Sequence, residues 1–280
     1  MNLFAFGLGY SVRHFLHVNA GGFARVAGTV RGADKAAALA RELPGVDVAL
    51  FDDRAAIEAR LRQADALLVS VPPGAGDPAL TAYRAVIETA PLRRVVYLST
   101  IGVYGDHGGA WIDEKAATAP VSGRNQARVL AERDWVALAT PARRVWVLRL
   151  AGIYGPGRSP VDKLRRGEAR RIVKPGQVFN RIHVEDIGRA IAACLRSDAP
   201  GGLVNVSDDE PAPPQDVTTY AAALLGVEPP PETPFERADF SPMALSFWGQ
   251  NKRVSNRKLR EELGVALAYP TYREGLRSLI

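Results

Sequence analysis

Gly7-Leu8-Gly9-Tyr10-Ser11 stands directly after the apolar run Asn2 to Phe6 and opens a pattern with Val12, Phe15 and Leu16 on one helical side. A glycine pair between a strand and a helix start is suited to holding a pyrophosphate. Gly7 permits the tight turn, and Gly9 lets the backbone come close to the ligand. The helix amides and dipole then favour the anion. The glycine expected three residues after Gly9 is replaced by Val12. Tyr10 and Ser11 begin the helix and belong to the same candidate binding turn.

The end of the second strand selects the ribose. An acidic residue there bonds a 2′-hydroxyl, but here the segment is Gly28-Thr29-Val30-Arg31. Arg31 offers a planar fork matched to a 2′-phosphate, with Thr29 and Lys35 as helpers, which points to NADP(H) rather than NAD(H). Asp52, after the third strand, either meets an adenine amino group or caps the helix from Arg54.

These residues need a scaffold. Apolar runs at Asn2 to Phe6, Phe23 to Val30, Val46 to Phe51, Ala66 to Val71, Arg94 to Ser99 and Val145 to Leu150 read as strands. Helical stretches lie between them, at Ala33 to Glu42, Arg54 to Gln63, Pro78 to Thr89 and Arg124 to Thr140. Strands apolar throughout and alternating with helices predict an α/β fold of Rossmann type, a doubly wound parallel sheet covered on both faces. After Gly152 the texture changes: Gly, Pro and Arg are dense from Tyr154 to Gly176, and His183 to Leu195 reads as a helix. The expected organisation is a dinucleotide-binding domain over residues 1–153. A smaller, mostly substrate-binding region follows over 154–280, with 177–207 returning to the first domain.

Several segments together resemble the extended short-chain dehydrogenase/reductase superfamily, in its NAD-dependent epimerase/dehydratase branch. They are Gly7-Leu8-Gly9, Ser99-Thr100-Ile101-Gly102-Val103-Tyr104-Gly105, Arg149-Leu150-Ala151-Gly152-Ile153-Tyr154-Gly155-Pro156-Gly157, Ile182-His183-Val184-Glu185-Asp186, Asn205-Val206-Ser207 and Asn256-Arg257-Lys258-Leu259. The resemblance implies a C-terminal region that receives a nucleotide-sugar or similar small substrate. It also implies a Tyr-x-x-x-Lys pair with a Ser or Thr for acid–base chemistry matched to hydride transfer. Thr100 falls at the hydroxyl position, and Tyr104, four residues later, is the second catalytic candidate, either a substitute proton donor or, as the resemblance implies, a residue lining the substrate site. The pair itself reads Arg124-x-x-x-Arg128. An arginine keeps its proton, so Arg124 cannot relay one as tyrosine does. Arg128 can still hold the nicotinamide ribose, and with Arg124, on the same helix face, it can bind an anion. Members lacking the pair resemble the atypical short-chain proteins. The resemblance further implies dimers formed through paired long helices, here Arg124 to Thr140.

Arg124, Tyr154, Arg158 and His183 are the candidates for substrate contact. His183 with Asp186 orients a sugar or brackets the cofactor, or simply marks a strand-to-helix junction. The basic stretch Lys163, Arg165, Arg166, Arg170, Arg171 and Lys174 grips a diphosphate or is a solvated loop. The expected activity is that of an NAD(P)-binding oxidoreductase or nucleotide-sugar epimerase/dehydratase-like protein acting on a hydroxyl or carbonyl. The alternative is a non-catalytic NADP(H)-binding redox sensor.

Other classes fare worse. A net charge of +6 invites nucleic-acid binding, but 36 basic residues are scattered among 30 acidic ones, and no stacking aromatics interleave the basic stretch. One cysteine, Cys194, excludes an internal disulfide or a cysteine zinc site. His14 and His17 share a helix face with no further metal ligand nearby, so no metal is expected. Ser99 lacks a Gly-x-Ser-x-Gly elbow. No stretch approaches the ~18 apolar residues of a membrane helix, and Met1 to Gly9 lacks a basic leader, so the expected compartment is the cytoplasm.

Overall fold

A computed structural model describes residues 1–280. Its thirteen strands are β1 Asn2–Phe6, β2 Arg25–Val30, β3 Val46–Leu50, β4 Ala66–Val69, β5 Arg94–Thr100, β6 Trp111–Ile112, β7 Arg144–Leu150, β8 Gly152–Tyr154, β9 Arg171–Val173, β10 Arg181–His183, β11 Gly201–Val206, β12 Glu232–Pro234 and β13 Arg253–Val254. Its helices are α1 Tyr10–Asn19, α2 Ala33–Glu42, α3 Arg54–Leu61, α4 Pro78–Thr89, α5 Gly123–Val136, α6 Pro160–Arg165, α7 Val184–Arg196, α8 Pro214–Leu225, α9 Pro242–Trp248, α10 Arg257–Glu261 and α11 Tyr272–Arg277. The chain forms two compact units. The first gathers Met1–Thr100, Gly123–Arg149 and Gly188–Val204; the second gathers Ile101–Ser122, Leu150–Ile187 and Asn205–Ile280.

The central sheet has seven strands in the order β11-β7-β5-β4-β1-β2-β3. β1 pairs in parallel with both β2 and β4, and the chain winds outward from these two pairings in opposite directions. The order therefore reverses between β1 and β4. Beyond the carboxyl ends of those strands lies the crevice where doubly wound sheets take ligands. Strands buried on both faces need apolar side chains throughout, and residues 66–69 are fully buried. Phe4, Phe6, Leu67, Val69, Val95, Tyr97 and Val147 pack with Ile57, Ile87 and Trp135 from the covering helices.

The helices start and stop where local chemistry dictates. α4 begins at Asp77, whose Oδ1 accepts from the amides of Ala79 (3.0 Å) and Leu80 (3.1 Å), with Pro78 in the first turn. The other carboxylate oxygen accepts from Trp135 Nε1 at 3.0 Å, so one buried aspartate fixes α4 to α5. The α3 cap is Asp53, accepting from Ala56 N at 3.1 Å, which removes the capping role from Asp52. His183 ends a strand rather than opening the helix; α7 starts at Val184. Residues 181–183 pair in parallel with 152–154, and that ladder holds His183 extended. Cys194 is buried in α7, and burial pushes its thiol up, away from reactivity.

In the second unit, Tyr154, Val161, Ala212, Val217, Ala221, Tyr272 and Leu276 form a smaller core. Gly275 is required there: a Cβ would stand 2.0 Å from the Tyr154 hydroxyl oxygen. No helix is long and apolar enough to cross a membrane.

Candidate dinucleotide site and its surroundings

The turn after β1 is built from three strands. Gly7 adopts φ +92°, a conformation that side chains rarely tolerate, and a Cβ on it would meet Ser70 Oγ at 2.8 Å and Val71 Cγ1 at 3.0 Å. The Ser70 hydroxyl, just beyond β4, donates to Gly7 O at 2.7 Å. Gly7 N donates to Thr29 Oγ1 (3.0 Å) and Leu8 N to Thr29 O (2.9 Å). Thr29, expected as a ribose helper, is instead buried and holds the turn itself. Gly28 matters for the same reason: a Cβ there would lie 2.7 Å from Leu8 Cδ2.

Gly9 is the N-cap of α1. Nothing lies within 4 Å of where its Cβ would be, no side chain caps the helix, and no acidic residue stands in the first turn. An uncapped, acid-free helix start beside an open glycine is a cradle for an anion. Tyr10 opens the helix with its ring 4.6 Å from that of His14, and Ser11 is buried one residue on. Val12, standing in place of the third glycine, is fully buried. Arg31 and Lys35 are exposed just beyond β2, and Asp52 is exposed beyond β3. The start of α1 is thus uncapped and open at Gly9, with exposed cations at Arg31 and Lys35 beyond β2.

Thr100 closes β5, half-buried. Arg124 lies exposed in the first turn of α5. One turn on, Arg128 folds back on its own unit. It donates to Leu98 O at 2.7 Å and to Tyr97 OH at 3.0 Å, with its guanidinium 5.6 Å from the Tyr97 ring centre. Burial pushes the Tyr97 hydroxyl up to about 12, with Arg128 opposing, so it stays protonated. Below this, Glu132 of α5 accepts from Ser99 Oγ (2.5 Å) and from Arg149 in a two-pronged pair (2.7 and 3.1 Å). The pair is buried on both sides and ties β5 and β7 to the helix.

Tyr104 belongs to the second unit. It ends a short 3₁₀ turn, Ile101–Tyr104, and is wholly buried. Its hydroxyl donates to Asn205 Oδ1 at 2.7 Å, and Asn205 Nδ2 donates to Ser255 O at 3.3 Å. Tyr154 and His183 come together through the β8–β10 pairing, with ring centres 5.2 Å apart and edge to face; Tyr269 flanks His183 on another side at 4.1 Å. His183 Nδ1 accepts from Glu185 N at 3.3 Å. Asp186 serves neighbouring backbone, accepting from the amides of Ala268 (2.6 Å) and Tyr269 (3.0 Å). Arg158 is exposed in a turn closed by its backbone bonds to Gly155. The basic stretch is largely engaged by its own unit. Arg166 pairs with Glu168, Arg171 with Glu232, Arg170 donates to Asp239 O, and Lys174 donates to Trp248 O.

Lys252 went unnoticed in the sequence. It is buried, and Nζ donates to Gly105 O at 2.6 Å and Gln250 Oε1 at 3.0 Å. Burial pulls its ammonium down to about 8, with Asp106 opposing. No local pattern marks a lysine whose partner lies 147 residues away. Ser70 and the bracing role of Thr29 were hidden for the same reason, although a glycine inside a strand, Gly28, is a signal of close backbone approach.

The NAD dependent epimerase/dehydratase family matches residues 79–207 of this chain. Protein YeeZ of Escherichia coli K12 is 33% identical over 220 residues, covering 75% of this chain and 73% of YeeZ. A 3-diazoavenalumate denitrifying reductase of Streptomyces is 29% identical over 68% of this chain and 66% of its own length. Among solved structures, a functionally unknown conserved protein from Silicibacter pomeroyi is 47% identical with a TM-score of 0.89, over 99% of this chain and 97% of that one. The dTDP-glucose 4,6-dehydratase of Bacillus anthracis, solved with NAD, shares the fold at 17% identity, with a TM-score of 0.80 over 100% of this chain and 95% of that one.

Proposed function

We propose, from the premise that the chain belongs to the NAD dependent epimerase/dehydratase family, that it binds NADP(H) in its first unit and acts as an oxidoreductase or epimerase-like enzyme on a hydroxyl or carbonyl of a small, anionic or nucleotide-linked substrate. The observation that carries the reading is the Gly7–Gly9 cradle at the strand-order reversal, followed by an exposed Arg31 where an acidic residue would select NAD. The bound nicotinamide would supply or accept hydride. Gly7, Gly9 and the first amides of α1, at Tyr10 and Ser11, would hold the pyrophosphate. Arg31 would hold the 2′-phosphate, and Asp52 would face the adenine. Thr100 would bond the reacting oxygen. Arg124, Tyr154, Arg158 and His183 would serve the substrate.

Arg128 divides this reading from its rival. Its Nη1 donates to Tyr97 and Leu98, so Arg128 would hold the nicotinamide ribose through its other nitrogens, and no tyrosine stands at position 124. With Tyr104 buried against Asn205, the proton would pass through Thr100, water or a group on the substrate. The same observation favours the second reading, a non-catalytic module that reports the NADP(H) redox state to a partner.

Titration of the purified protein with NADPH and NADH, followed by nucleotide fluorescence, tests the shared premise beside an Arg31→Asp variant. Tight NADPH, weaker NADH and loss of the preference in the variant are expected. Binding of neither nucleotide sinks both readings. Turnover of cofactor across a carbonyl and sugar-nucleotide panel then favours the enzyme. Binding without turnover, with a partner captured by only one redox state, favours the sensor.

A further inference from the structure

Four arginines converge where β5 and β7 begin, at the end of the sheet opposite the glycine turn. Arg94 opens β5 directly after Arg93, and Arg144 opens β7 directly after Arg143. The two pairs are brought together by the sheet: Arg144 N donates to Arg93 O at 3.0 Å. A tight turn sets the second pair, with Thr140 and Arg143 exchanging backbone bonds of 3.0 Å. These residues, with Asp198, line an open cleft of about 620 Å³ within the first unit.

The charges in this cleft do not balance. Asp198 is the one carboxylate lining it, against four guanidinium groups. It is 86% exposed and is shared through a single oxygen, Oδ1, by Arg94 (3.0 Å) and Arg144 (3.3 Å). So exposed a carboxylate contributes little, too little to account for gathering the four charges. Arg143 is buried and makes its bonds to main-chain carbonyls, to Glu88 O (2.8 Å), Ala90 O (3.3 Å) and Leu92 O (3.4 Å). Burial lowers its affinity for the proton, with Glu88 opposing, yet an arginine remains charged. Arg94 is itself mostly covered, and its Nε is buried without a hydrogen-bond partner. That donor lies on the guanidinium edge, beside Nη2, that would take a two-pronged oxyanion. Asp198 engages only the Nη2 side of it.

We propose that this cleft is a second anion site, taking the phosphate of a small phosphorylated ligand and separate from the dinucleotide cradle. A phosphate offers three or four oxygens where Asp198 uses one. It would bridge Arg94 and Arg144, with Arg93 free to close over it and Arg143 supplying charge from beneath. Asp198 is then a competitor: its flexible, exposed side chain occupies the arginines until the ligand displaces it.

The competitor role gives the proposal a signed test. Inorganic phosphate is titrated calorimetrically at constant ionic strength into the wild type, an Arg94→Gln/Arg144→Gln variant, Asp198→Asn and Arg31→Asp. The expected results are saturable binding in the wild type, at least tenfold weaker binding in the double arginine variant, and severalfold tighter binding in D198N. The wild-type affinity should be unchanged in R31D and at saturating NADPH, and a phosphomonoester sugar should compete with inorganic phosphate. Binding lost in R31D or under NADPH would assign the phosphate to the cradle and overturn the second site. So would an absence of saturation, or equal affinity in the double variant. Should the double variant fail to fold, D198N decides alone: unchanged or weaker binding ends the proposal.

Discussion

The two ends of the seven-stranded sheet present positive charge by different means. Beyond β1 the charge comes from the backbone: α1 starts uncapped at Gly9, and Gly7 bends the chain so that the amides are presented. At the starts of β5 and β7 it comes from side chains, four arginines around one aspartate. A backbone site is rigid and carries little formal charge, and it depends on glycines that nothing else can replace. A side-chain site is adaptable, but its cations must be held apart and partly neutralised. Arg143 is held by carbonyls and Arg94 with Arg144 by Asp198. The first kind suits a cofactor bound in one pose, the second a ligand that comes and goes.

The sharpest way to break that contrast is to cut a clamp that sits at one end only. Glu132→Ala strips the buried clamp that ties β5 and β7 to α5. A loss of about 3–5 kcal/mol in chemical denaturation is expected, since a buried arginine loses its carboxylate. NADPH binding should weaken more than phosphate binding at the arginine cleft, because Ser99 and Arg149 stand near the carboxyl ends of β5 and β7, at the end of the sheet where the glycine turn lies. Equal weakening would mean that the ends are not separable.

Gly7→Ala strikes only the backbone end. With φ at +92° and a Cβ 2.8 Å from Ser70 Oγ, the variant should lose about 1–3 kcal/mol of stability and at least tenfold in NADPH affinity. The phosphate affinity of the arginine cleft should not move.

Lys252→Met lies outside the sheet and serves as a control with its own signature. Burial sets the folded Lys252 value at about 8 against an ordinary 10.5, so the unfolded chain binds more protons between those limits. This residue's cost is therefore full below pH 8 and is relieved as the pH rises towards 10.5, by roughly 3 kcal/mol in all. Wild-type stability minus that of K252M, measured by denaturation across this range, should rise with pH. A flat difference would refute the assignment.

The smallest effect separates two neighbouring aspartates at the glycine-turn end of the sheet. Asp53→Ala removes the α3 cap and should cost about 1 kcal/mol with NADPH affinity intact. Asp52→Ala should leave stability unchanged and weaken the nucleotide severalfold.

What was legible in the sequence follows from the range of the forces involved. Six of the seven sheet strands came from local apolar runs and breakers, and α2 and α4 fall at Ala33–Glu42 and Pro78–Thr89 as read, while β11 at Gly201–Val206 was not read as a strand. The boundary misread at His183 arose because parallel pairing with Tyr154, 29 residues earlier in the chain, extended a segment whose own composition reads as helix. The aspartate before α3 was placed one residue early, since two adjacent acids offer the same capping chemistry and only backbone geometry chooses between them.

By itself, then, the sequence determined the alternation of strand and helix, the glycine turn after β1 and the arginine after β2. Each is a property of residues a few positions apart. Tertiary structure alone decided that Thr29 and Ser70 brace the turn, that Arg128 bends onto Tyr97, that Tyr104 is sealed against Asn205, and that two arginine pairs 50 residues apart become neighbours. Side-chain charge and hydrogen bonding act only over a few ångströms. Which groups come within that reach is settled by the order of strands in the sheet.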